Sequence, residues 1–112
     1  MIDVETEGLA PDTAVLRPHG RLNMVLAPRM RELVATTVEG GRSRVVVDLG
    51  STEFMDSSGL GALIAGLKTA RQAGGDLRIA AVPEQVRTVL SLTNLDRVLR
   101  PHGTVEQAVG EG

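Results

Sequence analysis

The sequence contains no cysteine and almost no aromatic residues. None of its 112 residues is Cys, Trp or Tyr, and Phe54 is the single aromatic side chain. Without cysteine the chain has no disulfide framework, no thiolate metal site and no cysteine nucleophile, a composition that fits a reducing cytoplasm. With one aromatic ring it lacks the stacking platforms on which many proteins bind single-stranded nucleic acids.

Positive charge and long apolar segments are also scarce. The 12 Lys and Arg residues are outnumbered by 14 Asp and Glu, for a net charge of −2. The basic residues are scattered, so no basic stripe is available for direct binding to nucleic acid. The longest apolar stretch, at residues 60–67, is broken by glycines and is far shorter than the ~20 residues that cross a bilayer. Because the N-terminus is acidic where a signal peptide is basic, we predict a cytoplasmic protein without a membrane span.

Hydrophobic spacing in the first half of the chain predicts two strands, a helix and a third strand. Apolar residues alternate with acids over residues 2–6, and a strand over 13–17 would complete an antiparallel hairpin. Apolar residues then recur at three- and four-residue steps from Leu26 until Gly40 and Gly41, which predicts an amphipathic helix. The continuous run of β-branched residues at 45–47, closed by Asp48 and Leu49, is typical of a central strand that is covered on both faces.

The second half continues the alternation. A helix is predicted from Ser57 to the glycines at 74 and 75, followed by a strand over 77–82. Pro83 is suited to the first position of a third helix that ends near Asn94. Residues 98–99 are expected to form a short edge strand or a loop. Thr104 and Gln107 have the spacing of a capping box, which predicts a short last helix.

This order of elements predicts an α/β fold in one domain over residues 1–112. Each strand-helix-strand unit makes its strands parallel, whereas the opening hairpin is antiparallel. We therefore expect a mixed sheet of four to five strands with about four helices, mainly on one face. The predicted core includes Val46, Leu63, Leu67, Ile79, Val86 and Leu90.

The segment at residues 48–61 joins the central strand to the second helix, so it lies at the carboxyl end of that strand. Ligand and partner sites favour this position in α/β sheets. Asp56 or Ser57 can accept hydrogen bonds from the free N–H groups of the first helical turn. The simplest interpretation is that Asp-Ser-Ser is only a helix cap. Two adjacent serines beside Phe54 and Met55, however, favour a site that is presented at the surface.

An enzymatic role for Ser57 has little support in the sequence. A serine nucleophile needs a base within hydrogen-bond reach and a third group that orients the base. His19 and His102 each lie between a proline and a glycine, so we predict solvated loop histidines. No Gly-x-Ser-x-Gly motif surrounds Ser57, and Gly59-Leu60-Gly61 is not followed by the lysine of a phosphate loop. We therefore predict a protein that is not an enzyme and needs neither a metal nor an organic cofactor.

Residues 54–61, FMDSSGLG, resemble the signature of the anti-sigma factor antagonist branch of the STAS domain family. The resemblance extends to the turn GRLN at 20–23, to GGDL at 74–77 and to LTNL at 92–95. It implies a STAS-like fold and a role in partner switching. In this role the antagonist binds an anti-sigma factor that is itself a serine kinase, and a sigma factor is released.

The resemblance also implies roles for particular residues. The kinase would phosphorylate Ser57 and thereby inactivate the antagonist, and a PP2C-type phosphatase would reverse the modification. Asp56, Ser58 and Gly59 would shape the helix start around Ser57, and the turn at 20–24 would form part of the kinase-facing surface, with Gly20, Asn23 and Met24 as candidate contacts.

The alternatives to this interpretation concern Asn23 and the function of the whole chain. Many family members have aspartate where this chain has Asn23, and Asn23 is equally suited to cap the helix that begins near Leu26. Met24 and Val25 are candidate exposed contacts, whereas the helical spacing of Met30 predicts a core position.

The alternative function is that of a STAS interaction or scaffold subunit in a transport or stress-signalling complex. A small hydrolase would be distinguished by turnover of an ester or a nucleotide.

Overall fold

The computed structural model describes residues 3–110. Its strands are β1 (Val4–Ala10), β2 (Thr13–Pro18), β3 (Gly20–Leu22), β4 (Arg44–Asp48), β5 (Thr52–Met55), β6 (Asp76–Ala80) and β7 (Pro101–His102). Its α-helices are α1 (Ala27–Glu39), α2 (Ser57–Gln72), α3 (Glu84–Leu92) and α4 (Val105–Gly110). A single turn of 3-10 helix spans Leu95–Arg97.

The main sheet has five strands in the order β1-β2-β4-β6-β7. Strand β1 pairs antiparallel with β2, and every other pairing in this sheet is parallel. The valines at 45, 46 and 47 are all buried on the central strand β4, as the apolar run predicts. The predicted mixed sheet is therefore confirmed. The predicted first strand begins at Ile2, which lies outside the described residues.

Side chains from both faces of the sheet are buried, because helices cover both. Helices α1, α2 and α3 pack on one face and form a large apolar cluster with alternate residues of the strands. Helix α4 covers the other face, where Ala108 packs against Val15, Val46 and Ala80. Three of the four helices thus share a face, and all six predicted core residues are buried.

The second sheet, formed by β3 and β5, is absent from our sequence prediction. Residues 20–24 were expected to form a turn and residues 48–61 a connection, yet three residues of the first segment pair in parallel with β5. The pairing begins where Thr52, a buried residue, donates its hydroxyl to the carbonyl of Pro18 at 3.0 Å. A three-residue and a four-residue strand are too short for hydrophobic alternation to distinguish them from loops.

The strand that was considered at residues 98–99 does not form, and the short edge strand lies instead at Pro101–His102. The carbonyl of Leu95 accepts hydrogen bonds from the amides of Val98 at 3.1 Å and Leu99 at 2.8 Å. This helical turn uses the backbone groups that a sheet would need, while the Leu99 side chain is fully buried. The predicted cap of the last helix is confirmed, because Thr104 Oγ1 accepts from the Gln107 amide at 3.1 Å.

An ionic cluster joins the opening hairpin to the central strand on the face that α4 covers. Arg17 donates from Nη1 to Glu7 Oε1 at 2.8 Å and from Nε to Asp48 Oδ2 at 3.1 Å. Hydrogen bonding to Glu7 raises the pKa of Arg17 above its ordinary value; partial burial opposes this effect and Asp48 adds to it. Arginine is charged at any ordinary pH, so Arg17 supplies a constant positive charge to this cluster.

The turn before β6 depends on glycine at position 75. A Cβ atom there would overlap the Ser43 carbonyl and lie 2.7 Å from the Ser43 side chain. We expect Gly75→Ala to lower the free energy of unfolding by about 1–3 kcal/mol through overpacking, measured by denaturant unfolding. Gly40→Ala is the matched control, because a Cβ at Gly40 would meet its nearest atom at 3.4 Å. Equal losses of stability in the two variants would contradict this account.

Candidate functional site

The β3–β5 pairing brings together two segments that are more than 30 residues apart in sequence. Strand β3 leads into the turn before α1, and β5 leads directly into α2, so the paired strands end side by side. In the first segment Asn23 Oδ1 accepts from the amides of Val25 at 3.0 Å and Leu26 at 3.4 Å. Asn23 therefore caps the turn that precedes α1, whereas the N-cap position of the helix itself is Leu26, without a side-chain cap.

The start of α2 is capped by Asp56 and not by Ser57. Asp56 has extended backbone geometry, and its Oδ1 accepts from the amides of Ser58 at 2.9 Å and Gly59 at 3.0 Å. One carboxylate oxygen thus satisfies two of the N–H groups that a helix start leaves free. Ser57 is the first helical residue, and its side chain is exposed and makes no capping bond.

Gly59 allows the first turn of α2 to lie directly against β3. A Cβ at this position would overlap the Leu22 carbonyl oxygen and lie 2.9 Å from Leu22 Cγ. The Asp56 amide also donates to that carbonyl at 3.4 Å. Gly59 is itself buried, so it shapes the site from beneath rather than by offering a surface contact.

Gln85 holds the other edge of β5, and our sequence analysis did not identify it. Its Oε1 accepts from the Met55 amide at 3.0 Å, and its Nε2 donates to the Met55 carbonyl at 3.1 Å. The Gln85 side-chain amide on α3 therefore makes the two hydrogen bonds to Met55 that a neighbouring strand would otherwise make. A glutamine in the first turn of a helix carries no sequence signal of such a long-range contact.

The surface around Ser57 is partly apolar. Met24 is 69% exposed and Val25 is 82% exposed, which is unusual for side chains of this kind. Phe54 is also exposed, and the Arg21 guanidinium lies 5.5 Å from the centre of its ring, within cation–π range. An open pocket of about 390 Å³ beside this surface is lined by Met24, Ala27, Pro28, Arg31 and Ser58.

The predicted site residues differ in their exposure. Ser57 and Met24 are exposed. Four other residues are half-buried: Gly20, Asn23, Asp56 and Ser58. Gly20 has a φ angle of +80°, which favours glycine there. Met30 is in the core, as its helical spacing predicts.

The two histidines are not both the solvated loop residues that we predicted. His19 is partly exposed, and its Nε2 lies 3.4 Å from Glu5 Oε2 on β1. His102 belongs to the edge strand β7, and its Nε2 is buried without a hydrogen-bond partner. The prediction for His102 is wrong because Pro101 and His102 themselves pair with β6 as an edge strand, a position where proline is tolerated.

Residues 3–110 hold neither a cluster of metal-ligating side chains nor a membrane-spanning helix. No group of three or more His, Asp or Glu side chains is placed to hold a metal ion within this range. Over the same residues, no helix is both long enough and apolar enough to span a bilayer.

The sequence pattern of the STAS domain matches residues 3–108, nearly the whole chain. The chain belongs to the STAS domain family. The expected resemblance is thereby confirmed, and the two-stranded sheet and capped helix described above are the form that the signature FMDSSGLG takes in this STAS domain.

The relatives of this STAS domain include anti-sigma factor antagonists. A putative anti-sigma factor antagonist of Thermotoga maritima is 31% identical over 104 residues, which cover 92% of each chain. The anti-sigma-B factor antagonist of Staphylococcus epidermidis is 30% identical over 76 residues, covering 68% of this chain and 70% of that protein. These relatives are named as regulatory proteins and not as enzymes.

Solved structures confirm the fold. The crystal structure of a putative anti-sigma factor antagonist from Thermotoga maritima superposes with a TM-score of 0.87 at 29% identity, covering 96% of this chain and 92% of that one. The phosphorylated form of the Bacillus cell fate determinant SpoIIAA has a TM-score of 0.76 at 21% identity, covering 96% of this chain and 97% of that one. At that identity the second likeness concerns the fold alone.

Replacing Gln85 tests whether the glutamine positions the strand before Asp56. In Gln85→Leu the backbone N–H and C=O of Met55 lose their partners, so we expect about 1–3 kcal/mol lower free energy of unfolding. Hydrogen exchange at the Met55 amide should become faster, which NMR can measure at that residue.

Gln72→Leu is the matched control, because Gln72 is an exposed residue at the end of α2. This variant should change the free energy of unfolding by less than about 0.5 kcal/mol and leave exchange at Met55 unchanged. If exchange at Met55 is also unchanged in Gln85→Leu, then Gln85 does not hold β5.

Proposed function

We propose that this STAS domain is an anti-sigma factor antagonist that binds an anti-sigma factor serine kinase and so releases a sigma factor. Phosphorylation of Ser57 by that kinase ends the interaction, and a PP2C-type phosphatase restores the unmodified form. The protein works in the cytoplasm as a single domain over residues 1–112, without a metal or an organic cofactor. The names of its relatives and the geometry around Ser57 support the proposal.

The observation that carries this proposal is that Asp56, and not Ser57, caps α2. Asp56 makes both capping hydrogen bonds, whereas the Ser57 side chain is exposed and takes no part in the cap. A kinase can therefore reach the Ser57 hydroxyl without opening α2. A phosphate placed there leaves the cap intact, so the modification acts on the surface and not on the fold.

The charge of the phosphate explains why binding would change. Phosphoserine carries about −1.5 to −2 charges at pH 7, whereas the unmodified hydroxyl is small and neutral. The start of a helix tolerates an anion because the helix dipole favours negative charge there. A partner surface that is complementary to a hydroxyl must instead accommodate charge and bulk, which weakens the complex.

The partner would meet both segments that β3 and β5 bring together. Met24 and Val25 are neighbouring exposed apolar residues and offer contact area to a partner. Gly20 and Asn23 set the path of the backbone that presents them, while Ser58 lines the adjacent pocket. Asp56 and Gly59 act on the partner surface indirectly, by setting the position of Ser57.

Substitutions at Ser57 test the switch. Ser57→Ala should fold normally, because Asp56 still caps α2, and it should bind the kinase without accepting phosphate. Ser57→Asp should bind at least about tenfold more weakly, because an unpaired carboxylate buried at an interface costs more than about 1.4 kcal/mol. The kinase is obtained by affinity capture with the tagged full chain from the source cytoplasm and mass spectrometry. Phosphate incorporation and affinity are then measured with the purified partner.

Ser58→Ala is the control for these variants, since it removes the neighbouring hydroxyl and should still be phosphorylated at Ser57. Two results together would contradict the proposal: phosphate incorporated into Ser57→Ala, and equal affinities of Ser57→Ala and Ser57→Asp. Ser57 would then have no role in the switch.

A further inference from the structure

We infer that Arg31 receives the phosphate on Ser57 and holds it in an intramolecular ion pair. Arg31 lies on α1, which packs against α2, and our sequence analysis gave it no role. The inference rests on the proposed function for its biological meaning, because it describes how the phosphorylated state of the same site is built. The ion pair itself would form where α1 contacts the first turns of α2.

The Arg31 guanidinium lies against α2 at Gly61, where the helix has no side chain. A Cβ atom at Gly61 would lie 3.3 Å from Arg31 Nη2, so the guanidinium occupies the space beside Gly61. Gly61 follows Ser57 by four residues, and side chains at this spacing lie on the same helix face. The guanidinium therefore lies about one helical turn from Ser57, within reach of a flexible arginine side chain.

Arg31 is also available for a new partner. Within the described residues it has no carboxylate oxygen within 4.0 Å, and it is exposed. Arg29, two residues earlier on the same helix, contacts Asp3 at 3.7 Å. Arg31 and Ser58 line the same open pocket, so the space between α1 and the start of α2 can admit a phosphate group.

The chemistry of the two groups is complementary. A guanidinium is a planar fork of N–H donors that binds phosphate oxygens in pairs, with charge-assisted hydrogen bonds of about 2.7–2.9 Å. The phosphate adds no covalent bond to Arg31, and no proton must move, since arginine is already charged. Glycine at position 61 matters because a larger side chain there would crowd the Arg31 guanidinium.

The ion pair would change the surface in two ways at once. The Ser57 hydroxyl becomes an anion, and the guanidinium that lined the open pocket beside Met24 turns to that anion. A partner that used Arg31 for one of its own acidic groups would lose this contact when Ser57 is modified. Phosphorylation would then remove an attraction as well as add a repulsion.

The test uses the full chain with phosphoserine installed at position 57 by genetic code expansion, so it does not depend on any kinase. The phosphate resonance is followed by ³¹P NMR in low salt across the second ionisation of phosphoserine, near pH 6. A nearby guanidinium favours the dianion and lowers this pKa. We expect the phosphate pKa to be lower in the Arg31 protein than in Arg31→Gln by at least about 0.3 units.

Arg29→Gln is the matched control and should leave the phosphate pKa within error of the unsubstituted protein. Arg31→Lys should give an intermediate value, because it keeps the charge and loses the fork. The Arg31 Nε–H resonance should move on phosphorylation, which a purely structural role of Arg31 would not cause. The inference would be overturned if the phosphate pKa were the same in the Arg31 and Arg31→Gln proteins. It would also be overturned if Arg31→Gln and Arg29→Gln raised the phosphate pKa equally. Neither result bears on whether a kinase modifies Ser57.

Discussion

The approach of α2 to the Leu22 carbonyl is the constraint on which the site depends. Only a residue without a Cβ can stand at position 59, because the first turn of the helix lies against β3. This contact brings the turn before α1 beside the start of α2, so Met24, Val25 and Ser57 belong to one surface. Gln85 holds the opposite edge of β5 through two hydrogen bonds to Met55. The surface is therefore held in place from both sides.

A second consequence is that the helix start does not need the residue that would be modified. Asp56 satisfies the amides of Ser58 and Gly59, and Ser57 is left exposed. In a site where the same serine capped the helix, a phosphate would replace a structural hydrogen bond and disturb the fold. The separation of these two tasks over neighbouring residues allows a surface to change charge while the domain beneath it stays the same.

The sequence predicts the main sheet and the helices well because their hydrophobic patterns are long. The valine run of β4 and the spacing of Leu63 and Leu67 on α2 report burial directly. Local chemistry also predicts the Thr104 cap of α4 and restricts the cap of α2 to Asp56 or Ser57, since such bonds form within one turn. The β3–β5 pairing, the Gln85 contact and the position of Arg31 beside Gly61 join residues far apart in sequence. A single sequence carries no pattern for such contacts, and residues 98–99 show that short apolar pairs do not distinguish a strand from a buried helical turn.

The central claim is that a phosphate on Ser57 changes the surface and leaves the fold intact. The most direct measurement compares ¹H–¹⁵N NMR spectra of the full chain with serine and with phosphoserine at position 57. The account predicts shifts confined to the residues around Met24 and Arg31 and to the first turns of α2, with amides of β4 and α4 unmoved. Shifts throughout β4 and α4, or a loss of signal dispersion, would mean that the modification disturbs the fold and would contradict the account.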